Sequence, residues 1–456
     1  MAITGTAPTQ ADQGRALWLS TVAFTVCFAA WTIFSIIGVQ VKKDLGLNDA
    51  QFGLLVGTPI LTGSLVRLVL GVWTDQFGGR IVFTLVMLIA AAATWMLSYA
   101  YDYTTFLLAA LGVGMAGGSF AVGIAYVSKW YPQGKQGTAL GIFGAGNVGA
   151  AVTKFLAPVV MVAFGWQMVA QLWAAGLVVM AVVFFVTAKD DPDLIARRAA
   201  GAKPESFMAM MAPLANLQVW RFSLYYFFVF GGFVALALWL PRYYVGVYGL
   251  DIVTAGLLGA AYSIPGSLFR VLGGTLSDKH GARRVMYWTF WGSIVCTFLL
   301  SYPATKYVVT GARGPIEFEV AIGFIPFMVL TMALGFFMSL GKAAVYKHIP
   351  VYYPGRVGSV GGAVGLIGGL GGFVLPITFG VLNDWIGVWT SCFMLLFVVV
   401  VGSLVWMHLA IRAMEHRQHP ELAGPKYLPG AGTLHADARP SPARTDGANT
   451  KPQAAE

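Results

Sequence analysis

"GSLVRLVLGVWTDQFGGR", Gly63–Arg80, can be laid without a gap on "GSLFRVLGGTLSDKHGAR", Gly266–Arg283. The coinciding positions are Gly63/Gly266, Ser64/Ser267, Leu65/Leu268, Arg67/Arg270, Gly71/Gly274, Asp75/Asp278, Gly78/Gly281 and Arg80/Arg283. Each copy sets one arginine inside an apolar run, eight residues before an aspartate. On a helix that spacing is about 12 Å, well inside any boundary the aspartate marks. A stretch that occurs twice, half a chain apart, implies two related halves. Paired bundles with a site between them near mid-membrane are one plan of membrane carriers.

The composition agrees with a membrane setting. Hydrophobic residues make up 57% of the 456, charged residues only 11%, and mean hydropathy is +0.72; a soluble domain carries roughly a quarter charged residues. About twelve apolar runs are long enough to cross a hydrocarbon core as helices, at roughly 17–40, 52–74, 81–99, 104–128, 137–162, 166–188, 220–241, 254–276, 284–302, 320–346, 358–381 and 388–411. The alternating ten-residue strands of a membrane barrel do not occur. No cationic region followed by a cleavage site precedes Leu17, so the first run reads as a retained span. The expected class is therefore an all-α membrane protein of two six-helix halves.

The net charge of +10 is a matter of topology and not of nucleic-acid binding. With the amino terminus inside, the inner segments hold Arg15, Arg80, Lys129, Lys135, Lys189, Arg197, Arg198, Lys203, Arg221, Lys279, Arg283, Arg284, Lys347, Arg356 and Arg412. The outer ones hold Lys42, Lys43, Arg242, Lys306 and Arg313. This positive-inside bias puts both termini in the cytoplasm. The expected order is a cytoplasmic amino terminus at 1–16, a first bundle at 17–188, a cytoplasmic linker at 189–219, a second bundle at 220–411 and a disordered cytoplasmic tail at 412–456, poor in apolar residues.

An arginine at a helix centre costs roughly 2.5–3.5 kcal/mol on insertion scales, which marks Arg67 and Arg270 as site candidates. No Asp or Glu falls in the middle of any span, so the missing counter-charge is read as an anionic cargo. Phe120, Phe230 and Asn147 lie at a similar depth, roughly 13–16 Å from the inner face by helix rise, with Tyr226 one turn from Phe230. Planar guanidinium forks between aromatic walls suit a small, flat, weakly hydrated oxyanion. The fifth and eleventh spans are glycine-rich, at Gly144, Gly146 and Gly149 and at Gly368, Gly369, Gly371 and Gly372. Such faces pack closely and are expected to let the halves slide or bend as well.

"GVWTDQFGGRI" and "GTLSDKHGARRV" resemble the loop signature of the major facilitator superfamily, with Asp75, Arg80, Asp278 and Arg283 as its conformational motif. "AGGSFAVGIAYVSKWYPQGKQGTALGIFGAGNVGA" together with "GLIGGLGGFVLPITFG" is similar to the paired signatures of the nitrate/nitrite porters of the NarK type. That resemblance implies substrate-clamping roles for Arg67 and Arg270, aromatic walls at Phe120, Tyr226 and Phe230, and a signature amide at Asn147. Nitrate is the implied cargo and nitrite a second one. The seventh and tenth spans look closer to the proton-linked importer branch, with protons admitted as co-substrate. Nitrate/nitrite exchange is the alternative, and another small-anion antiport ranks below both.

Lys154 and Lys342 are read as snorkelling from the ends of their spans, and His348 as sitting at the inner mouth. Cys27, Cys296 and Cys392 read as buried apolar side chains with no disulfide or metal spacing. No catalytic residue, metal cluster or cofactor loop is expected, so an enzyme is excluded. The expected setting is the cytoplasmic membrane of a bacterium.

Overall fold

A duplicated hairpin of helices organises the chain. The computed structural model describes residues 9–131, 133–190, 192, 215–352 and 357–418. The chain groups into two compact units, Met1–Leu404 and Val405–Glu456, the second described only by the last turns of its entering helix. In the first half α1 (Gln10–Trp31) and α2 (Phe34–Leu45) share one span, followed by α3 (Asp49–Phe77) and α4 (Gly79–Leu97). Next come α5 (Tyr103–Val113) and α6 (Ser119–Ser128), joined by a 3₁₀ turn at Gly114–Gly118. A second such turn, Ala145–Val148, joins α7 (Gln133–Gly144) to α8 (Gly149–Phe164), and α9 (Trp166–Thr187) closes the half.

The second half opens with α10 (Leu217–Tyr226), which passes through a π turn at Phe227–Gly232 into α11 (Phe233–Tyr248). There follow α12 (Ile252–Leu268), α13 (Arg270–His280), α14 (Ala282–Leu300), α15 (Phe324–Tyr352), α16 (Val357–Ile386) and α17 (Ser391–Gln418). Among the described residues ten helical segments are long and apolar enough to cross a bilayer. Asp49–Phe77 and Ala282–Leu300 occupy the other two of the twelve expected places.

The repeat holds down to backbone angles. Gly46 and Gly249, equivalent by the alignment of Arg67 with Arg270, both take φ of 63°, and Gly78 and Gly281 take 90° and 83°. These left-handed positions end one helix and turn into the next, a geometry that glycine adopts without a Cβ clash. Asn48 and Asp251, also equivalent, cap α3 and α12 by accepting backbone N–H bonds. The Asp251 carboxyl, bonded by the Thr254 hydroxyl and N–H groups, is held below the usual carboxylate range.

Two sequence expectations change. The segment between the ninth and tenth spans is an antiparallel hairpin, β1 (Thr305–Gly311) with β2 (Gly314–Val320), closed by a two-residue turn with Gly314 at φ 128°. Alternating β-branched, aromatic and charged residues there favour strands, and α15 starts at Phe324 and not at 320. The last helix continues to Gln418, past the expected start of the tail. Residues 419–456 and the 193–214 stretch of the linker lie outside the described residues.

Helix packing across the molecule is closest where α3 meets α16. A Cβ on Gly53 would lie 2.2 Å from the Pro376 carbonyl oxygen, whereas one on Gly71 would meet nothing within 4 Å. Between helices in lipid, close backbone approach takes the place of the hydrophobic effect. Gly53→Ala is thus expected to lower stability by about 1–3 kcal/mol through overpacking, while Gly71→Ala leaves it unchanged or slightly raised. Thermal unfolding of the detergent-purified proteins, followed by size-exclusion fluorescence, checks the pair.

Candidate functional site

Apart from Arg67, each expected cargo residue lies at a break in regular α-helix. Phe120 is the second residue after the Gly114–Gly118 turn, Asn147 lies inside the Ala145–Val148 turn, Tyr226 ends α10, Phe230 lies in the π turn and Arg270 opens α13. Such irregular turns free backbone groups and re-aim side chains, and they gather at working sites. Arg67 sits instead on an unbroken helix, and its guanidinium borrows carbonyls from neighbours. Nε donates to Gly117 O at 3.4 Å, inside one of those turns, and Nη1 donates to Gly365 O of α16 at 2.9 Å.

The two arginines converge on one ring. Arg67 Cζ and Arg270 Cζ each lie 5.4 Å from the Phe120 centroid. Arg67 also stands 5.3 Å from Phe230 and 5.6 Å from Trp31. Phe120 and Phe230 are near-parallel at 6.4 Å, and Tyr226 stacks on Phe230 at 5.0 Å with 5° between planes. Cation–π contacts of this kind hold a guanidinium in place while leaving N–H groups for a ligand. Both arginines are 5% exposed.

No acid pairs with either fork among the described residues, and several buried polar atoms are left over. Arg270 Nη1, both atoms of the Asn147 amide and Ser64 Oγ have no hydrogen-bond partner among the described residues. Buried polar atoms without partners are uncommon, and each calls for a physical reason. The two forks are not equivalent: the structure gives Arg67 protein carbonyls and leaves Arg270 a bare donor. Asn147 is fully buried, three residues beyond Gly144, which abuts the Arg270 guanidinium.

Two site residues escaped the sequence reading. Tyr346 faces Arg270 at 5.8 Å and meets Tyr226 edge-on at 5.0 Å. The expected span at 320–346 ends on this residue, but α15 runs six residues further, so the tyrosine lies deeper. Trp31 ends α1, with its indole N–H on Pro59 O at 2.8 Å; a lone tryptophan in an apolar run gives no sequence signal.

The lysines correct a further expectation. Lys154 and Lys342 are fully buried and do not snorkel. Lys154 Nζ donates to Ala150 O at 3.0 Å and to Ser263 Oγ of the other half at 3.1 Å. Lys342 Nζ donates to Gly266 O and lies 3.5 Å from the Phe233 centroid. His348 is 7% exposed, its Nδ1 3.0 Å from Ala344 O, and not at an open mouth.

The expected glycine faces divide in two. Cβ atoms on Gly144 and Gly369 would meet Arg270 and Ser64 of the opposite half, and one on Gly372 would meet both Ile60 of the opposite half and Val234 of its own. Those on Gly146, Gly149, Gly368 and Gly371 would meet Phe24, Thr25, Tyr226 and Phe227 of their own half. In the loop motif, Arg80 Nε donates to Phe185 O at 2.9 Å and stacks on the Phe185 ring, tying α4 to the end of α9. Arg283 is half-buried at the start of α14; the side chains of Asp75 and Asp278 lie outside the described residues.

The sequence model described as Major Facilitator Superfamily matches residues 19–312 and 251–445. A protein of Thermus thermophilus named probable nitrate/nitrite antiporter NarK1 is 43% identical, covering 92% of this chain and 96% of its own length. The probable nitrate/nitrite transporter NarK2 of Mycobacterium tuberculosis is 34% identical over 82% of this chain and 90% of its own. Among solved structures, a bacterial homolog of the human lysosomal transporter Spinster, inward-facing and unoccupied, aligns with a TM-score of 0.66 at 16% identity. It covers 88% of this chain and 97% of its own. The nucleoside transporter NupG aligns at 0.65 and 14% identity, covering 86% of this chain and 98% of its own.

A Cβ on Gly144 would stand 2.9–3.0 Å from three atoms of the Arg270 guanidinium. Gly144→Ala therefore displaces the fork and is expected to weaken anion affinity about tenfold, the scale of one charged hydrogen bond, with the amount of folded protein unchanged. Nitrate titration of the intrinsic tryptophan fluorescence reads it.

Proposed function

The chain belongs to the major facilitator superfamily and, within it, to the nitrate/nitrite porters of the NarK type; from that premise we propose that it imports nitrate by alternating access, coupled to protons. Nitrite is the second cargo. The membrane is the cytoplasmic membrane of a bacterium, both termini lie inside, and the halves at 17–188 and 220–411 rock about the site while 189–219 links them. The Gly78 and Gly281 turns then face the cytoplasm and the Asn48 and Asp251 caps face outward.

One observation carries the reading: Arg270 Nη1 and both polar atoms of the Asn147 amide are buried without hydrogen-bond partners among the described residues, beside a second guanidinium and with no ion-paired acid among those residues. A flat monovalent oxyanion supplies the acceptors and the negative charge together. Its oxygens lie in one plane, which a guanidinium fork meets edge to edge while Phe120 and Phe230 cover its faces. Arg67 already holds Gly365 O of the other half. Cargo arriving at that fork therefore acts directly on a contact between the bundles. Carriers of this kind need binding to favour one arrangement over the other.

The seventh and tenth spans, "SLYYFFVFGGFVALALWLPRYYVGVYGL" and "MSLGKAAVYKHIPVYYP", support the proton-linked branch. The name of the Thermus relative favours the second reading, exchange of nitrate for nitrite. Uptake by proteoliposomes separates them: import follows an imposed proton gradient with no internal anion, whereas exchange requires internal nitrite and ignores the gradient.

Arg67→Lys and Arg270→Lys keep the charge and lose the fork. Each is expected to reduce nitrate uptake about ten- to a hundredfold, the loss of about 1.5–3 kcal/mol of charge-assisted bonding. Full uptake by both lysine variants at equal protein amounts refutes the clamp.

A further inference from the structure

At the end of the bundle opposite the Gly78 and Gly281 turns, one carboxylate gathers charged and polar groups from both halves. Asp49, the first residue of α3, has a side chain 9% exposed. Its Oδ1 accepts from Lys42 Nζ of α2 at 2.9 Å and from Arg242 Nη2 of α11 at 3.3 Å. Its Oδ2 accepts from the Asn383 amide of α16. The Arg242 guanidinium is braced 4.6 Å from the Trp389 ring. The next residue of α16, Asp384, works in the other direction: Oδ1 accepts from Asp49 N–H at 3.1 Å and Oδ2 from Ala50 N–H at 2.7 Å. Those are free donors of the first turn of α3, where the helix dipole favours an anion. Asn48 already takes the Gln51 N–H, so α3 is capped once by its own half and once by the other.

Below this cluster the same two helices touch backbone to backbone. A Cβ on Gly380 would lie 2.1 Å from Asp49 O, and one on Gly57 2.9 Å from Phe373 O. The contact continues to Gly369, beside Ser64 and Arg67. The α3–α16 seam thus closes the molecule from the Asp49 end down to the level of the arginines, and it has a polar head on a glycine stem. Buried charged groups regain hydration when they part into water, which offsets much of their lost attraction, whereas the close-packed glycine stem regains nothing of that kind. The head is therefore the part whose release lets the stem beneath it part.

We propose that Asp49, Lys42, Arg242, Asn383 and Asp384 form an ionic latch that shuts the outer mouth between α3 and α16, and that its release opens the cargo site to the outside. The latch rests on the alternating-access reading above and is independent of which anion is carried.

Ile60 lies in the seam against Gly372 and is fully buried, so Ile60→Cys reports its opening to a membrane-impermeant maleimide added outside right-side-out vesicles. The protein without this change, retaining buried Cys27, Cys296 and Cys392, gives the background. Labelling of Ile60→Cys is expected to be slow with the latch intact and about tenfold faster when Asp49→Asn or Arg242→Gln is added. That is the response to about 1.4 kcal/mol between the two arrangements. Lys42→Gln carries the same expectation, so the test survives if Asp49→Asn fails to reach the membrane. Unchanged labelling in the variants that do reach it overturns the latch. Labelling that responds to added nitrate but not to these substitutions also overturns it, and leaves the carrier reading standing.

Discussion

A guanidinium inside a helical bundle has few ways to be tolerated, and both arginines of this site are held without an acid. Taking such a charge out of water is costly unless other groups replace the lost hydration. Arg67 is compensated by two backbone carbonyls and three aromatic faces. Arg270 has two faces and an unpartnered Nη1. The duplication therefore conserved the side chain and divided the duty. One fork already ties the halves together, and the other is left short of acceptors among the described residues, which is what the proposed clamp asks of it.

That requirement explains the broken helices. A continuous α-helix engages each carbonyl once along its own axis and leaves only a second lone pair to a side chain, whereas an irregular turn swings a carbonyl out of the ladder. The 3₁₀ turn at Gly114–Gly118 places Gly117 O within reach of Arg67, and the π turn at Phe227–Gly232 brings Phe230 over the same guanidinium. Small residues are needed at the same places, because a Cβ on Gly117 would meet the Trp31 ring at 2.4 Å and one on Gly144 would meet Arg270. Glycine density here is accordingly two properties at once. Gly144, Gly369 and Gly372 keep the surface between the halves thin, and the others fasten each half internally.

The class of fold and the arginine pair were legible because both are written as departures from an apolar background: long runs, and one charge repeated in register. The hairpin Thr305–Val320 was not, since a short exposed pair of strands looks like any polar connection until its partners are known. Tyr346 and Lys342 were misplaced for a single reason, that depth was counted from guessed span ends; Lys154 is instead buried by its contact with Ser263 of the other half. Ending the span six residues early at α15 moved Tyr346, Lys342 and His348 toward the inner face by about two turns. Trp31 had no periodic or charge signal at all, because its role depends on where Pro59 and Arg67 fold to meet it.

Among the described residues Arg67, Arg270, Lys154 and Lys342 are deeply buried cations, yet only the arginines converge on Phe120, and geometry separates the two pairs. Each ammonium directs its hydrogens at fixed points: Lys154 satisfies itself on Ala150 O and Ser263 Oγ, and Lys342 on Gly266 O beneath the Phe233 ring. A compact point charge so engaged has no planar edge to offer. A guanidinium engaged by stacking is different, because the ring takes its face and leaves its edge free. Phe120, shared by Arg67 and Arg270 at equal distance, is then more than a wall: it braces both guanidinium groups of the proposed clamp from one ring.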